Sequence, residues 1–233
     1  EKMGLSAPEH PKAEKPEETD YTVVHVELAA DEAQAEKLLE AFRKAEFVTV
    51  LALPDLTGIV VDCNTGKDTA LAGQFYFDRY SGDWNKLLSS LFSADIKKVS
   101  HDVKDLMRTL LESGLPAEGF IFDTALAGYL LDATAGHYDI GRLFASWFRE
   151  ELQKPLYLDP DAFSMLGDRV QAEASFLSYA AAVAALHEAM LPKLKETGVD
   201  WLYFNVELPL CQVLAEMENA GFRVDARALQ SFG

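Results

Sequence analysis

The chain has 233 residues, 49% of them hydrophobic, and a formal net charge of −17. The apolar share is ordinary for a globular protein, but a domain that grips nucleic acid alone carries a basic face, so the charge argues against strong autonomous DNA binding. Cys63 and Cys211 stand far apart and match no metal or redox spacing. They read as reduced thiols of a cytoplasmic protein, and no apolar run approaches the roughly 20 residues of a membrane helix.

Residues 1–20 place Pro8, Pro11 and Pro16 among Glu and Lys and read as a linker or disordered lead-in. The chain opens Glu1-Lys2 without an initiator methionine, which suggests an internal or trimmed piece of a longer protein. Residues 21–28, containing His25, are β-rich and read as an edge strand. Asp31 is placed to cap a helix running to about Ala45, with Ala35, Leu38, Leu39 and Phe42 on one stripe. Residues 47–53 form a short apolar run stopped by Pro54-Asp55, the pattern of a central strand buried on both faces. Leu51 and Leu53 are two apart and point to the same face.

Residues 58–63 read as the next strand, Asn64-Thr-Gly66 as a hairpin turn, and 70–77 as a third strand with Phe75 and Phe77 on one side. These three make an antiparallel meander. Trp84, Leu87, Leu88, Leu91 and Phe92 then mark a helix, 97–100 a short strand, and Val103, Met107, Leu110 and Leu111 a helix ended by Gly114. Residues 120–122 predict another strand, and Asp123-Thr124 the cap of a helix over 125–131. Alternation of strand and helix implies parallel additions to the sheet, giving five or six strands in all. Beyond it, 139–148 has helical spacing, 150–168 reads as an irregular loop with Pro155 and Pro160, and 171–191 and 201–219 read as long helices. Gly221 to Asp225 turns into a further helix start.

Three stretches carry a resemblance: residues 122–140, 177–187 and, most specifically, 208–225 (Leu-Pro-Leu-Cys-Gln-Val-Leu-Ala-Glu-Met-Glu-Asn-Ala-Gly-Phe-Arg-Val-Asp). With the order of elements, they resemble the 3′–5′ exonuclease domain of bacterial DNA polymerase I, of the family-A polymerases, and its entry into the polymerase domain. The resemblance covers about residue 21 to the end. It implies an α/β, ribonuclease-H-like mixed sheet flanked by helices over 21–200, followed over 201–233 by the helical start of the polymerase domain.

Active members of that family hold two divalent ions on four acidic residues, beside a water-orienting tyrosine, and hydrolyse a phosphodiester in line. Residue by residue, the four acidic positions fall on Leu51, Leu53, Leu106 and Val183, and the tyrosine falls on Tyr179. The resemblance therefore implies a degenerate site with no catalytic, metal or cofactor residues. The expected function is an inactive exonuclease-like scaffold for DNA synthesis in replication and repair. Its partners would be DNA, through the parent enzyme, and the polymerase domain packed beside it. The rival readings are an active exonuclease whose ligands have moved to Asp102, Asp105, Asp55, Asp62 or Asp123, and a stand-alone interaction domain. Turn and cap chemistry accounts for those acids more simply. His101 has no identifiable nucleophile, His187 has no second ligand, and Trp84, Phe92, Phe144 and Trp147 read as core.

Overall fold

The computed structural model describes residues 23–26, 32–63, 74–78, 83–159, 161–163, 167–223 and 230. The lead-in, the Asp31 cap, the turn at 64–66 and the helix start after Asp225 lie outside the described residues. Six strands form one mixed sheet: β1 (Val23–Val26), β2 (Val48–Ala52), β3 (Gly58–Asp62), β4 (Gln74–Asp78), β5 (Lys98–Ser100) and β6 (Phe120–Asp123). Their spatial order is β1-β4-β3-β2-β5-β6. β2, β3 and β4 are antiparallel neighbours, the meander read from their short connections. β1 joins β4 in parallel at one edge, and β5 and β6 extend the other side in parallel. At β6 the register slips, so that Lys98 pairs with Phe120 and Val99 with Phe122, leaving Ile121 as a bulge.

Alternation along the strands sorts the core into two halves. Val48 and Val50 of β2, Ile59 and Val61 of β3, and Phe75 and Phe77 of β4 face one side. There they meet α1 (Glu32–Lys44), α2 (Trp84–Leu91) and α3 (Val103–Glu112). Leu51, Leu53, Val60, Tyr76, Val99 and Phe122 face the other side. They pack on α4 (Thr124–Leu131), α5 (Ile140–Phe148) and α6 (Arg169–Thr197). Trp84 belongs to the first half, its indole donating to the Leu56 carbonyl at 2.9 Å, and Phe92, Phe144 and Trp147 are buried as core residues.

Three helical regions differ from the sequence reading. α6 does not stop at Leu191 but runs through Pro192 to a left-handed cap at Gly198. Pro192 removes the helical partner of the Glu188 carbonyl, yet both residues are exposed, so that carbonyl is open to solvent. At this length α6 is long and apolar enough to cross a membrane by length and composition alone, as a core helix can be; half of its apolar stretch is buried inside the fold. The helix expected over 201–219 is α7 (Asp200–Leu202), a π turn (Tyr203–Glu207) and α8 (Leu208–Ala220). Pro209 offers no N–H to the preceding turn, and the wider π turn sits where that bond is missing. Finally, the loop 150–168 contains a 3-10 turn, Leu156–Leu158, that carries Tyr157 into the core.

Candidate functional site

β2 delivers Leu51 and Leu53 to one face, where they are 7% and 6% exposed. The Leu53 N–H donates to the Gly58 carbonyl at 2.9 Å, which draws β3 tightly against this end of β2. A Cβ on Gly58 would stand 3.0 Å from Leu53 Cδ1 and 3.2 Å from Tyr76 Oη, so a larger residue there would press these two side chains back by a few tenths of an ångström. From Tyr76 a chain of rings crosses to α6 and the 3-10 turn. Tyr76 meets Phe176 at 6.0 Å edge to face, and Phe176 stacks on Tyr157 at 5.0 Å. Tyr157 meets Tyr179 at 5.2 Å. Val183, one turn beyond Tyr179, is fully buried in the same cluster.

The segment bearing Tyr157 is tied down. Ser175 Oγ accepts from the Leu156 N–H and donates to the Lys154 carbonyl, each at 3.1 Å. Tyr179 donates its hydroxyl to the Gln153 carbonyl at 3.0 Å, so its oxygen is engaged by the loop. Burial raises the proton affinity of both phenols. Leu106 stands apart from the other three positions. It is half-buried on α3 and packs with the opposite half of the core. The side chains of Leu51, Leu53, Leu106 and Val183 hold no oxygen, nitrogen or sulfur, so they do not fit the pair of hard cations that the resemblance implies.

The acids near these positions have other partners. Asp55 accepts from Thr57 N at 3.1 Å and Thr57 Oγ1 at 2.6 Å within a turn. Asp62 is buried and accepts from Gln74 Nε2 at 2.8 Å. Asp105 lies at the start of α3, 3.2 Å from Lys104 Nζ, which also meets Glu218 of α8 at 2.8 Å. Asp102 precedes α3 with a positive φ of 52° and makes no side-chain cap. That role belongs to Asp123, whose carboxylate accepts from Asp102 N at 3.0 Å and Val103 N at 2.8 Å.

Asp123 also caps α4, accepting from Ala125 N at 2.9 Å and Leu126 N at 3.3 Å. Tyr203 completes the corner: it takes the Asp123 N–H at 2.6 Å and donates to the Asp123 carbonyl at 2.9 Å. Burial pushes the Asp123 carboxyl up to about 6, against the pull of those N–H groups. His101 shares a proton with Thr124 Oγ1 at 2.8 Å, and burial lowers it to about 4. His187 lies between Phe47 and Phe122, and burial likewise lowers it to about 4. Among the described residues, no group of three or more His, Cys, Asp or Glu is arranged to hold a metal ion.

Sequence reasoning missed three participants. Tyr157 sits in a segment without periodicity, and Tyr203 acts on Asp123 across 80 residues. Lys98 is fully buried, donating to the carbonyls of Leu91, Ser93 and Ile96 at 3.0, 2.9 and 2.6 Å. A lysine inside an apolar strand was the only available signal for the last.

No family model matches the chain. DNA polymerase I of Bacillus caldotenax is 34% identical over 140 residues, covering 59% of this chain and 16% of that protein. DNA polymerase I of Caldicellulosiruptor bescii is 30% identical over 146 residues, covering 62% of this chain and 15% of that protein. The chain thus spans less than a fifth of the length of these relatives. In fold, it matches the POL domain of Mycobacterium smegmatis Pol1 in complex with DNA primer-template and dNTP. That match has a TM-score of 0.67 and 23% identity, over 85% of this chain and 33% of that one. Escherichia coli RNase D, an exoribonuclease, matches with a TM-score of 0.60 and 19% identity, over 85% of this chain and 51% of that one. Sequence and fold agree that this chain is similar to the exonuclease-like region of bacterial DNA polymerase I, built on a ribonuclease-H-like mixed sheet.

Proposed function

We propose that this chain is a catalytically inactive 3′–5′ exonuclease-like domain of a bacterial, cytoplasmic DNA polymerase I, a scaffold for the DNA-synthesising module in replication and repair. The observation that carries the reading is the packing of Leu51, Leu53 and Val183 into one cluster with Tyr157 and Tyr179. Carboxylates converging at Leu51, Leu53 and Val183 without metal would repel one another and be costly to desolvate. Aliphatic side chains in the same places contribute about 1.5–3 kcal/mol each when fully buried. The scaffold role is supported by an apolar surface on the C-terminal helices. Trp201, Val213 and Met217 are 67%, 50% and 62% exposed there, a face fitted to the intramolecular packing of a polymerase module. DNA is then a partner of the parent enzyme, while the chain's own charge of −17 keeps its affinity for single strands low and salt-sensitive.

Incubation of purified protein with a 5′-labelled single strand in Mg²⁺ or Mn²⁺ tests this directly; no time-dependent shortening from the 3′ end is expected. Shortening that is lost on Asp102→Asn or Asp105→Asn would establish displaced ligands instead. Restoring Leu51→Asp, Leu53→Glu, Leu106→Asp and Val183→Asp together should give a protein whose melting temperature rises with Mn²⁺, while that of the unaltered chain does not.

A further inference from the structure

α8 carries apolar residues on two of its faces. Cys211 and Ala215 are buried in the first half of the core, where α8 lies along α3. Leu210, Val213, Leu214 and Met217 recur at three- and four-residue spacing on a second stripe, and all four are exposed. An exposed apolar stripe of this spacing is what one helix offers another. Its flanks carry one sign of charge. Glu216 stands on one side of the stripe, and Glu207, at the end of the π turn that leads into α8, on the other. Glu216 is exposed, and the neutral amide of Gln212 donates to it at 3.0 Å. No lysine, arginine or histidine falls between Asp200 and Phe222. Glu218, by contrast, meets cations on the α3 side, Lys104 at 2.8 Å and Arg108 at 3.5 Å.

We propose that this stripe seats one amphipathic helix of the DNA-synthesising module, whose own apolar stripe is flanked by lysine or arginine. The inference rests on the scaffold reading above and gives the partner its chemistry. α8 has 13 residues, so it is about 20 Å long and can seat a partner of roughly three to four turns. Where two helices pair along apolar stripes, the flanking charges set the choice of partner, and acids there select cations. A second copy of the chain is the wrong occupant. In either helix direction the flanking acids of one copy would meet those of the other, between chains that each carry a charge of −17. Nucleic acid is excluded on the same ground, since its phosphates would face Glu207 and Glu216 with no cation between them.

Two synthetic amphipathic peptides with the same leucine stripe, one flanked by lysines and the other by glutamates, read the preference in NMR titrations of the 233-residue chain. The lysine peptide should shift the amides of Leu210, Val213 and Met217 saturably and bind about tenfold more tightly than the glutamate peptide, a preference that shrinks as salt rises. Val213→Ser together with Met217→Ser, both at exposed positions, should weaken the lysine peptide about tenfold. Glu207→Lys together with Glu216→Lys should bring the two peptides within about twofold of each other. In the parent enzyme, the thiol introduced by Val213→Cys should be alkylated about tenfold more slowly than in the 233-residue chain, because the partner helix covers it. Shifts spread over the acidic surface away from α8, a preference that survives the double charge reversal, a concentration-dependent dimer removed by Met217→Ser, or equal alkylation in parent and chain would each overturn the proposal. None of these readouts involves hydrolysis of DNA, so they fail separately from the inactive-site reading, which the single-strand assay reports.

Discussion

Two strand ends in this molecule treat polar chemistry in opposite ways. At the end of β2, Leu51 and Leu53 meet Tyr76 and, across α6, Tyr157 and Val183, all inside one apolar cluster. At the end of β6, a few strands away in the same sheet, Asp123 is equally buried but retains its carboxylate. The difference lies in the donors. Asp123 faces main-chain N–H groups from the starts of both α3 and α4, with Tyr203 bracing its own main chain. Backbone donors are fixed by the fold and need no cation. A carboxylate on β2 would face rings and aliphatic chains instead, so there an apolar side chain is the stable occupant.

Placing an acid at the apolar end should give the largest effect. Leu51→Asp buries an unpaired carboxylate and is expected to destabilise the fold by about 4 kcal/mol at neutral pH, recovering partly as the group is protonated in acid. Urea denaturation at pH 7 and pH 5 measures both. A neutral variant of unchanged stability would show that this end of β2 admits water. Removing the acid from the polar end should cost somewhat less. Asp123→Ala strands the N–H groups of Asp102, Val103, Ala125 and Leu126, at about 3 kcal/mol. Hydrogen exchange should then accelerate first in the opening turns of α3 and α4.

Lys98 sharpens the comparison with the opposite charge. It is buried like Asp123 and held by backbone carbonyls where Asp123 is held by backbone N–H groups. Desolvation lowers its ammonium group to about 7, with Glu118 and Asp95 opposing. The unfolded chain binds this proton up to a pH near 10, whereas the folded chain has released it above 7. Stability therefore rises with pH across that window. Relative to Lys98→Met, the unaltered protein should gain about 3 kcal/mol between pH 7 and pH 10 in chemical denaturation, an effect on the scale of that at Asp123. A flat difference would mean that the three carbonyls hold the ammonium charged throughout.

Most of the sheet was legible because its signals are local. Apolar runs bounded by Pro-Asp or Gly gave the strands, and the shared face of Leu51 and Leu53 followed from two-residue alternation. The four positions that match the family's acidic ones were assigned through resemblance alone, and Leu106 packs with the opposite half of the core from the other three. What escaped was long-range. Tyr157 lies in an aperiodic loop whose path is set by Ser175 and Tyr179 on α6. Tyr203 reaches Asp123 from a π turn that no periodicity announces. The continuation of α6 past Pro192 depends on solvent at that face, and solvent exposure is a property of the assembled fold.

The two cysteines give this architecture a built-in clock. Cys63 is buried beyond the end of β3, and Cys211 is buried in α8 against the first half of the core. Burial pushes the Cys211 thiol up to about 11 and the Cys63 thiol higher still, so neither is a ready nucleophile while the fold is closed. Alkylation must wait for an opening that releases the thiol to water. The Cys211 rate then times the departure of α8 from its seat, and the Cys63 rate times the parting of the sheet. Together they show whether the C-terminal helix and the sheet beneath it come apart as one cooperative body or as two.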